Sequence, residues 1–122
     1  MIIRFLIKVI FAWSILFVCS CSAPRKSSKV FLEACKAGDT LIVKQMISQG
    51  VNINTTDQFG YTGLHLAVTF NEPEVVSVLL KKGANYTIKD RKLLKTPLEM
   101  AEEKNNSELI AVFNAYGNTY TD

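Results

Sequence analysis

The single histidine of the 122-residue sequence, His65, is the residue with the widest chemical range, because a histidine can act as a general base or as a metal ligand. Nucleophilic catalysis pairs a histidine with a serine or cysteine, and no second histidine is left for such a pair. The sequence also has no Cys or His cluster with the spacing of a metal site. We therefore predict no metal site and no catalytic pair at His65.

The acidic residues offer no better catalytic arrangement. Glu102 and Glu103 are adjacent, and adjacent side chains on a helix point about 100° apart, so this pair indicates a solvated face rather than a carboxylate dyad. No glycine-rich phosphate loop appears in the sequence. We predict that the protein is not an enzyme and binds no cofactor.

The start of the chain has the layout of a secretory signal. Arg4 and Lys8 give it a basic beginning, residues 9–18 are apolar apart from one serine, and no acid precedes Glu33. We predict a signal peptide over residues 1–20 and exclude it from the fold. The alternatives are ordinary secretion and an uncleaved anchor helix, for which the apolar run is short.

Residues 18–21, Val-Cys-Ser-Cys, resemble the lipobox of bacterial lipoproteins. The resemblance implies that Cys21 becomes the lipidated N-terminus, which would hold the protein on a membrane by acyl chains. Ser22 follows in place of the aspartate that tends to retain such proteins at the inner membrane, which indicates the outer membrane, facing the periplasm. Residues 21–28 are then the lipidated cysteine and a polar tether.

Residues 57–90 contain two short amphipathic helices separated by a tight turn. Leu64, Ala67 and Val68 have i, i+3, i+4 spacing and share one helix face. The segment from Val75 to Leu80 repeats this pattern on a second helix. Such a pair is too thin to bury its own apolar faces, so it needs neighbours on both sides.

Copies of this unit recur with a period of 33 or 34 residues, which relates Gly83 to Gly50 and to Gly117. The extra residue falls in the turn that follows Asp90. The period predicts an all-α solenoid of about three stacked helix-turn-helix repeats. The predicted domain covers residues 29–118, with repeats at about 29–56, 57–89 and 90–118 and a tail at 119–122.

The unit at 57–90 resembles an ankyrin repeat. The resemblance is carried by G-x-T-x-L-H-x-A from Gly60 to Ala67, by E-V-V-x-x-L-L from Glu74 to Leu80, and by the Gly-Ala-Asn that follows. Gly63 departs from the pattern, which usually has proline there. The resemblance implies that His65 forms hydrogen bonds between neighbouring loops and that Thr62 helps to cap the helix, with Thr96 and Pro97 as the matching motif in the third repeat.

The resemblance also implies a binding surface on the concave side of the array, built from the turn tips and the outward positions of each first helix. The predicted protein-binding residues are Phe59, Tyr61, Thr69, Phe70, Arg91, Lys92 and Lys95. Aromatic residues among basic ones are typical of interface centres. Two alternatives stay open: Phe59 or Phe70 packs under a neighbouring turn, and the basic turn faces either an acidic partner or an anionic lipid surface.

Cys35 is the one cysteine within the predicted repeat domain. Cys35 takes the place of the apolar Val68 of the next repeat, so we expect it in the core.

The net charge of +3 falls towards zero when Arg4 and Lys8 leave with the signal. This charge balance, together with export, argues against a nucleic acid partner.

We therefore predict a non-enzymatic module that binds another protein in the bacterial envelope through its concave face, anchored by lipid and monomeric when unbound. The alternative, taken from the resemblance to small exported ankyrin lipoproteins, is an immunity protein that inhibits a periplasmic toxin such as a secreted phospholipase effector.

Overall fold

A computed structural model describes residues 24–118, so the predicted signal peptide, Cys21 and the tail at 119–122 lie outside the described residues. The six helices are α1 Pro24–Ala37, α2 Thr40–Ser48, α3 Gly63–Thr69, α4 Pro73–Lys81, α5 Pro97–Glu103 and α6 Ser107–Asn118. Between residues 24 and 118 the β pairing is limited to an isolated antiparallel bridge that joins Thr56 to Thr62. The predicted all-α fold is confirmed.

The helices form two layers of three. Helices α1, α3 and α5 lie side by side in the first layer, and α2, α4 and α6 lie side by side in the second. Each first-layer helix also packs against the helix that follows it in sequence, which makes three stacked helix pairs. This is the arrangement that the period of the sequence predicts.

The start of α1 differs from the prediction. The helix begins at Pro24, inside the segment predicted to be a flexible tether up to residue 28. Proline is well accommodated in the first turn of a helix, and the Arg25 and Lys26 that follow have high helix propensity. The chain before the first repeat is therefore helical from Pro24 onward, and the lipidated cysteine stays a prediction.

The core lies between the two layers and runs through all three helix pairs. Leu66 is 7% exposed and Leu79 is fully buried, so the apolar faces of the middle pair are both covered. Burying one leucine of this kind contributes roughly 1.5–3 kcal/mol. The largest fully buried apolar side chains are Phe31, Leu64, Leu79, Leu80, Leu109, Val43, Val68, Val75 and Val76.

Each of α3 and α5 begins at a threonine that forms a capping box. The Thr96 hydroxyl accepts the Glu99 N–H at 3.2 Å, and the Glu99 carboxylate accepts the Thr96 N–H at 2.7 Å. At α3 the Thr62 hydroxyl accepts the His65 N–H, and His65 Nδ1 accepts the Thr62 N–H at 3.1 Å. These side chains satisfy backbone groups that a helix start leaves unpaired.

The same histidine joins the second repeat to the third. Because His65 Nδ1 accepts a hydrogen bond from Thr62, the proton lies on Nε2, which donates to the Lys95 carbonyl at 3.0 Å. The Arg91 N–H donates to the Phe59 carbonyl, also at 3.0 Å. Two bonds therefore hold the turn before α3 against the turn before α5.

Similar bonds recur elsewhere along the stack. The Asn54 side chain accepts the Asn85 N–H at 2.8 Å, and the Asn106 amide donates to the Asn71 side chain at 2.6 Å. The partners are 31 and 35 residues apart, so each bond links equivalent parts of successive repeats and contributes about 1 kcal/mol.

Gly63 is required by the packing between the first two repeats. A Cβ atom added there would lie 2.9 Å from Cys35 Sγ and 3.3 Å from Phe31 Cε1. Cys35 is fully buried, and this burial raises the pKa of its thiol to about 12. The cysteine is therefore a core residue, and its sulfur takes space that a larger residue than glycine would need.

We expect Gly63→Ala to lower the free energy of unfolding by about 1–3 kcal/mol because the added methyl overpacks this contact. In a Cys35→Ala background, Gly63→Ala lowers the free energy of unfolding much less, because the sulfur atom that crowds the added methyl is absent. Urea unfolding of the parent, the two single variants and the double variant measures this coupling. Gly117→Ala, where no atom lies within 4 Å of the added Cβ, is the control and leaves stability unchanged or raised. Equal costs in both backgrounds would contradict the packing argument.

The pH dependence of stability follows from His65. Burial lowers the pKa of this imidazole below its ordinary value of 6.5, although the bond to Lys95 and the carboxylates of Asp90 and Asp57 act in the other direction. The unfolded chain therefore takes up the proton first as the pH falls. The neutral imidazole therefore contributes its full stabilisation above pH 6.5. Below that pH the free energy of unfolding decreases, by up to about 2 kcal/mol between pH 7 and pH 5.

Denaturant unfolding at pH 7 and pH 5 measures this loss, with His65→Gln as the control. The variant is less stable than the parent at pH 7, and its stability changes little over this interval. The carboxyls of Asp90 and Glu99, whose pKa values are lowered, lose their contribution mainly at more acidic pH, and they are present in both parent and variant. A parallel decline of parent and variant would show that His65 is not responsible.

Candidate protein-binding surface

The first-layer helices give the concave side two edges. The turn edge comprises the turns at 57–61 and 90–95 together with the start of α1, because Ser28 and Lys29 line the same groove as residues 55–59. The helix-end edge comprises the ends of α1, α3 and α5: Lys36 lies over the Phe70 ring, and Lys104 Nζ donates to the Thr69 carbonyl at 2.9 Å.

The predicted protein-binding residues divide between these two edges. Thr69 and Phe70 are at the helix-end edge, and the others, Phe59, Tyr61, Arg91, Lys92 and Lys95, are at the turn edge. Helix α3 has seven residues, so the edges are separated by about 10 Å along its axis. The predicted residues therefore form two patches.

The turn edge carries an aromatic row. The ring centroids of Phe59 and Tyr61 are 6.4 Å apart, and those of Tyr61 and His65 are 5.7 Å apart, with tilted planes in both pairs. Tilted pairs at these distances attract beyond simple burial. His65 is buried, Tyr61 is half-buried, and Phe59 is 49% exposed. Phe59 is thus held in place by its neighbour while one face stays open to solvent.

Phe70 gives the helix-end edge a second exposed aromatic ring. It is 50% exposed, and Lys36 Nζ lies 5.4 Å from its centroid, within the range of a cation–π interaction. The neighbouring Thr69 hydroxyl donates to the His65 carbonyl at 2.8 Å, one helical turn earlier. Phe70 is therefore available for contact, whereas the Thr69 hydroxyl is used inside the helix.

A groove of about 720 Å³ lies between α1 and the turn at 55–59. Leu32 and Leu66 are at its base, Phe59 is on the turn side, and Lys29 and Lys36 are on the α1 side. The other lining residues are Ser28, Glu33, Thr55, Thr56, Asp57 and Gln58. The groove thus runs along two turns of α1, and the two leucines at its base are 8% and 7% exposed.

Most of this groove is absent from the predicted protein-binding residues, because none of those residues lies in the first repeat. The repeat period contains a signal that would have found Leu32, which lies one period before His65. A leucine there cannot form the bond between turns that His65 makes. Its side chain lies at the base of the groove instead.

Aspartates shape both turns of the turn edge. Asp90 is fully buried and accepts the N–H groups of Lys92, Leu93 and Lys95 at 2.6–3.1 Å. Burial alone would raise the pKa of its carboxyl, but these three bonds outweigh burial and hold the pKa below its ordinary value. Asp57 accepts the N–H groups of Phe59 and Tyr61 in the same way.

The exposed charge of the turn edge is consequently basic. Arg91 and Lys92 are exposed at the tip of the second turn, while Lys95 forms an ion pair with Glu103. Glu99 is bonded to the Thr96 N–H, which lowers the pKa of its carboxyl. Of the three predicted basic residues, Arg91 and Lys92 are the ones placed for an outside partner.

The surface offers contact area and shape rather than reactive groups. Across residues 24–118, no group of three or more His, Cys, Asp or Glu side chains is arranged to hold a metal ion. Over the same residues, every buried side-chain nitrogen or oxygen has a hydrogen-bond partner. None of the described helices has the length and apolar character needed to cross a membrane.

Comparison with known proteins agrees with this geometry. A family model described as "Ankyrin repeats (3 copies)" matches residues 29–120. The chain is 42% identical over 84 residues to glycerophosphocholine phosphodiesterase gde1 of Schizosaccharomyces pombe, covering 68% of this chain and 7% of that protein. It is 34% identical over 90 residues to the putative ankyrin repeat protein YahD of Escherichia coli, covering 69% of this chain and 44% of that protein.

A putative ankyrin repeat protein of Acanthamoeba polyphaga mimivirus is 37% identical over 87 residues, which covers 70% of this chain and 12% of the viral protein. The chain thus spans less than half the length of these relatives. Ankyrin repeats are generally protein–protein interaction modules and typically have no enzymatic activity. With three stacked helix pairs, a histidine bonded between turns and a family match over residues 29–120, the chain belongs to the ankyrin-repeat family.

Proposed function

We propose that this domain is a non-enzymatic binding module that grips another protein through the groove between α1 and the turn at 55–59. The observation that carries the proposal is the half-exposed ring of Phe59 on the rim of a groove whose apolar base is formed by Leu32 and Leu66. Large buried anchors at the centre of an interface supply most of its binding energy. A partner side chain that enters the groove would meet both leucines and one face of Phe59.

The scaffold around the groove supports this proposal because it is held in one shape. Its turn side is organised by Asp57, which binds two backbone N–H groups, and by the bond from Arg91 to the Phe59 carbonyl. Its α1 side packs on α3 and α2. A surface that is already ordered loses little conformational entropy when a partner binds.

Phe70 extends the proposed interface to the helix-end edge. Its ring and the Lys36 ammonium form a unit that can contact apolar or acidic groups of the partner. Lys36 also lines the groove, and its Nζ lies 3.7 Å from Glu33 Oε2. The groove and the helix-end patch are therefore continuous through Lys36, and one partner can cover both.

We further propose that the module works in a bacterial envelope, held by lipid on Cys21. The support is the sequence alone: an apolar segment with a basic start, then Val-Cys-Ser-Cys at residues 18–21. More than one acyl chain on such a cysteine gives stable membrane attachment. Ser22 supports the outer membrane, facing the periplasm.

The partner is an envelope protein in this proposal. A narrower form of the same function is immunity, in which the groove blocks a toxin that reaches the periplasm, such as a secreted phospholipase. An export signal and a small preformed binding surface suit both roles. The identity of the protein recovered with the module decides between the two forms.

We expect Phe59→Ala and Phe70→Ala each to weaken binding of the partner recovered from envelope extracts by about tenfold or more, because each removes an exposed ring from the interface. Tyr86→Ala is the matched control: Tyr86 is 42% exposed and lies beside Leu98 and Phe113, outside the groove. Titration against the purified partner measures the three affinities, and circular dichroism checks the fold. The proposed interface is wrong if all three variants bind as the parent does.

Cys21→Ala tests the anchor. The variant is expected to lose its acyl groups, because Cys21 is the residue that carries them in the proposed anchor. Cys19→Ala is the control and keeps its acyl groups. Intact mass of the mature protein shows whether its first residue is Cys21 and whether it carries acyl groups. A parent chain whose mature form carries no acyl groups on Cys21 would refute this anchor.

A further inference from the structure

The chain enters the repeat domain at the turn edge. Helix α1 begins at Pro24, and Ser28 and Lys29 in its early turns line the groove together with residues 55–59. The turn at 90–95 continues the same edge through the bond from Arg91 N–H to the Phe59 carbonyl. Whatever holds the chain just before Pro24 therefore lies on the same side of the molecule as both turn tips.

The second turn tip exposes two leucines. Leu93 is 49% exposed and Leu94 is 68% exposed. The turn from Asp90 to Thr96 is one residue longer than the turn from Asp57 to Thr62. The longer turn carries these apolar side chains outward, so that half of Leu93 and most of Leu94 stay exposed.

Leu94 also has an unfavourable backbone conformation. Counted back from the capping threonine, it takes the place that Gly60 has in the preceding turn, and both have positive φ, +56° and +80°. Glycine adopts this region without strain, whereas a leucine there is destabilised by roughly 1–2 kcal/mol. A strained and solvent-exposed leucine is not explained by the stability of the fold, and such outliers favour a functional role.

Basic residues surround these leucines. Lys89, Arg91 and Lys92 are exposed beside them, and Lys29 is exposed at the start of α1. Asp90 is fully buried under the turn. The carboxylates of Asp57 and Glu99 lie nearby and accept backbone N–H groups of their own turns. The outward surface of the tip is therefore aliphatic and cationic.

We propose that the turn edge rests on an anionic lipid bilayer, with Leu93 and Leu94 inserted among the head groups. This inference depends on the lipid anchor of the proposed function, since the three residues from Cys21 to Pro24 can span only about 11 Å. The anchor would thus keep the turn edge close to the membrane. Aliphatic side chains enter the interfacial region of a bilayer. Each lysine or arginine near anionic lipid raises the affinity of the protein for the membrane by about tenfold or less.

The orientation has a consequence for the protein partner. A domain that stands on its turn edge holds the groove beside the bilayer, with the helix-end edge pointing away from it. A partner bound in the groove would then be another protein at the membrane surface. An acidic, apolar segment of a protein is the competing occupant of the turn tip, and the experiment distinguishes it from lipid.

The test places a photoreactive diazirine analogue of leucine at Leu94 in the full lipidated chain. The matched control carries the analogue at Leu41, a 79% exposed leucine at the start of α2, near the helix-end edge. Each chain is reconstituted into phosphatidylcholine vesicles with or without phosphatidylglycerol and then irradiated. Mass spectrometry identifies the adducts. The same two chains are also irradiated in native envelopes, where the adducts show whether position 94 reacts with lipid or with protein.

We expect phospholipid adducts at position 94 to exceed those at position 41 by at least about fivefold, to increase with phosphatidylglycerol, and to fall in the Arg91→Gln, Lys92→Gln double variant. Lipid adducts at 94 no more frequent than at 41, or protein adducts alone in envelopes, would overturn the inference while the chain stays in the membrane fraction. A chain absent from the membrane fraction would instead refute the anchor, and the inference with it.

Discussion

Each helix pair of this protein is too thin to bury both of its apolar faces, so each depends on the pair that lies against it. The middle pair shows this most clearly, because Leu66 and Leu79 are both covered although they belong to different layers. Hydrogen bonds between equivalent positions of successive repeats add direction to this contact, which apolar burial alone does not provide. His65 is the centre of these bonds: one ring nitrogen completes the cap of its own helix and the other holds the next turn. Stability and the spacing of the turns are therefore set by the same side chain.

The binding surface inherits its order from this constraint. Turns that are bonded to one another, and that wrap around Asp57 or the buried Asp90, present their tips at fixed positions. Side chains that contribute little to folding can then occupy those tips. Phe59 and Phe70 are each about half exposed, and the groove beside Phe59 has an apolar base. The separation between a rigid interior and exposed side chains explains how a small array can serve recognition.

Two positions break the regular pattern of the repeats, and their causes differ. Gly63 stands where the family usually has proline because the sulfur of Cys35 and the ring of Phe31 take the space beside it. That departure belongs to the core, and local packing explains it completely. Leu94 stands where the preceding turn has glycine, in a backbone conformation that disfavours leucine, and its side chain is 68% exposed. Burial within the fold does not explain this leucine, and the proposed contact with a lipid surface does.

The sequence by itself determined the all-α fold and the number of repeats, because apolar spacing and turn glycines act over a few residues and recur at a fixed period. The threonines that cap α3 and α5 could be predicted from the sequence for the same reason, because a capping box involves residues only three positions apart. Only the tertiary structure decided where the surface lies. It placed Phe59 and Phe70 at opposite ends of α3, formed a groove from α1 and a turn some 25 residues later in the chain, and joined the two turns into one edge. Those features depend on which residues meet across the stack, and spacing along the chain does not specify the side chains that remain uncovered after the repeats pack.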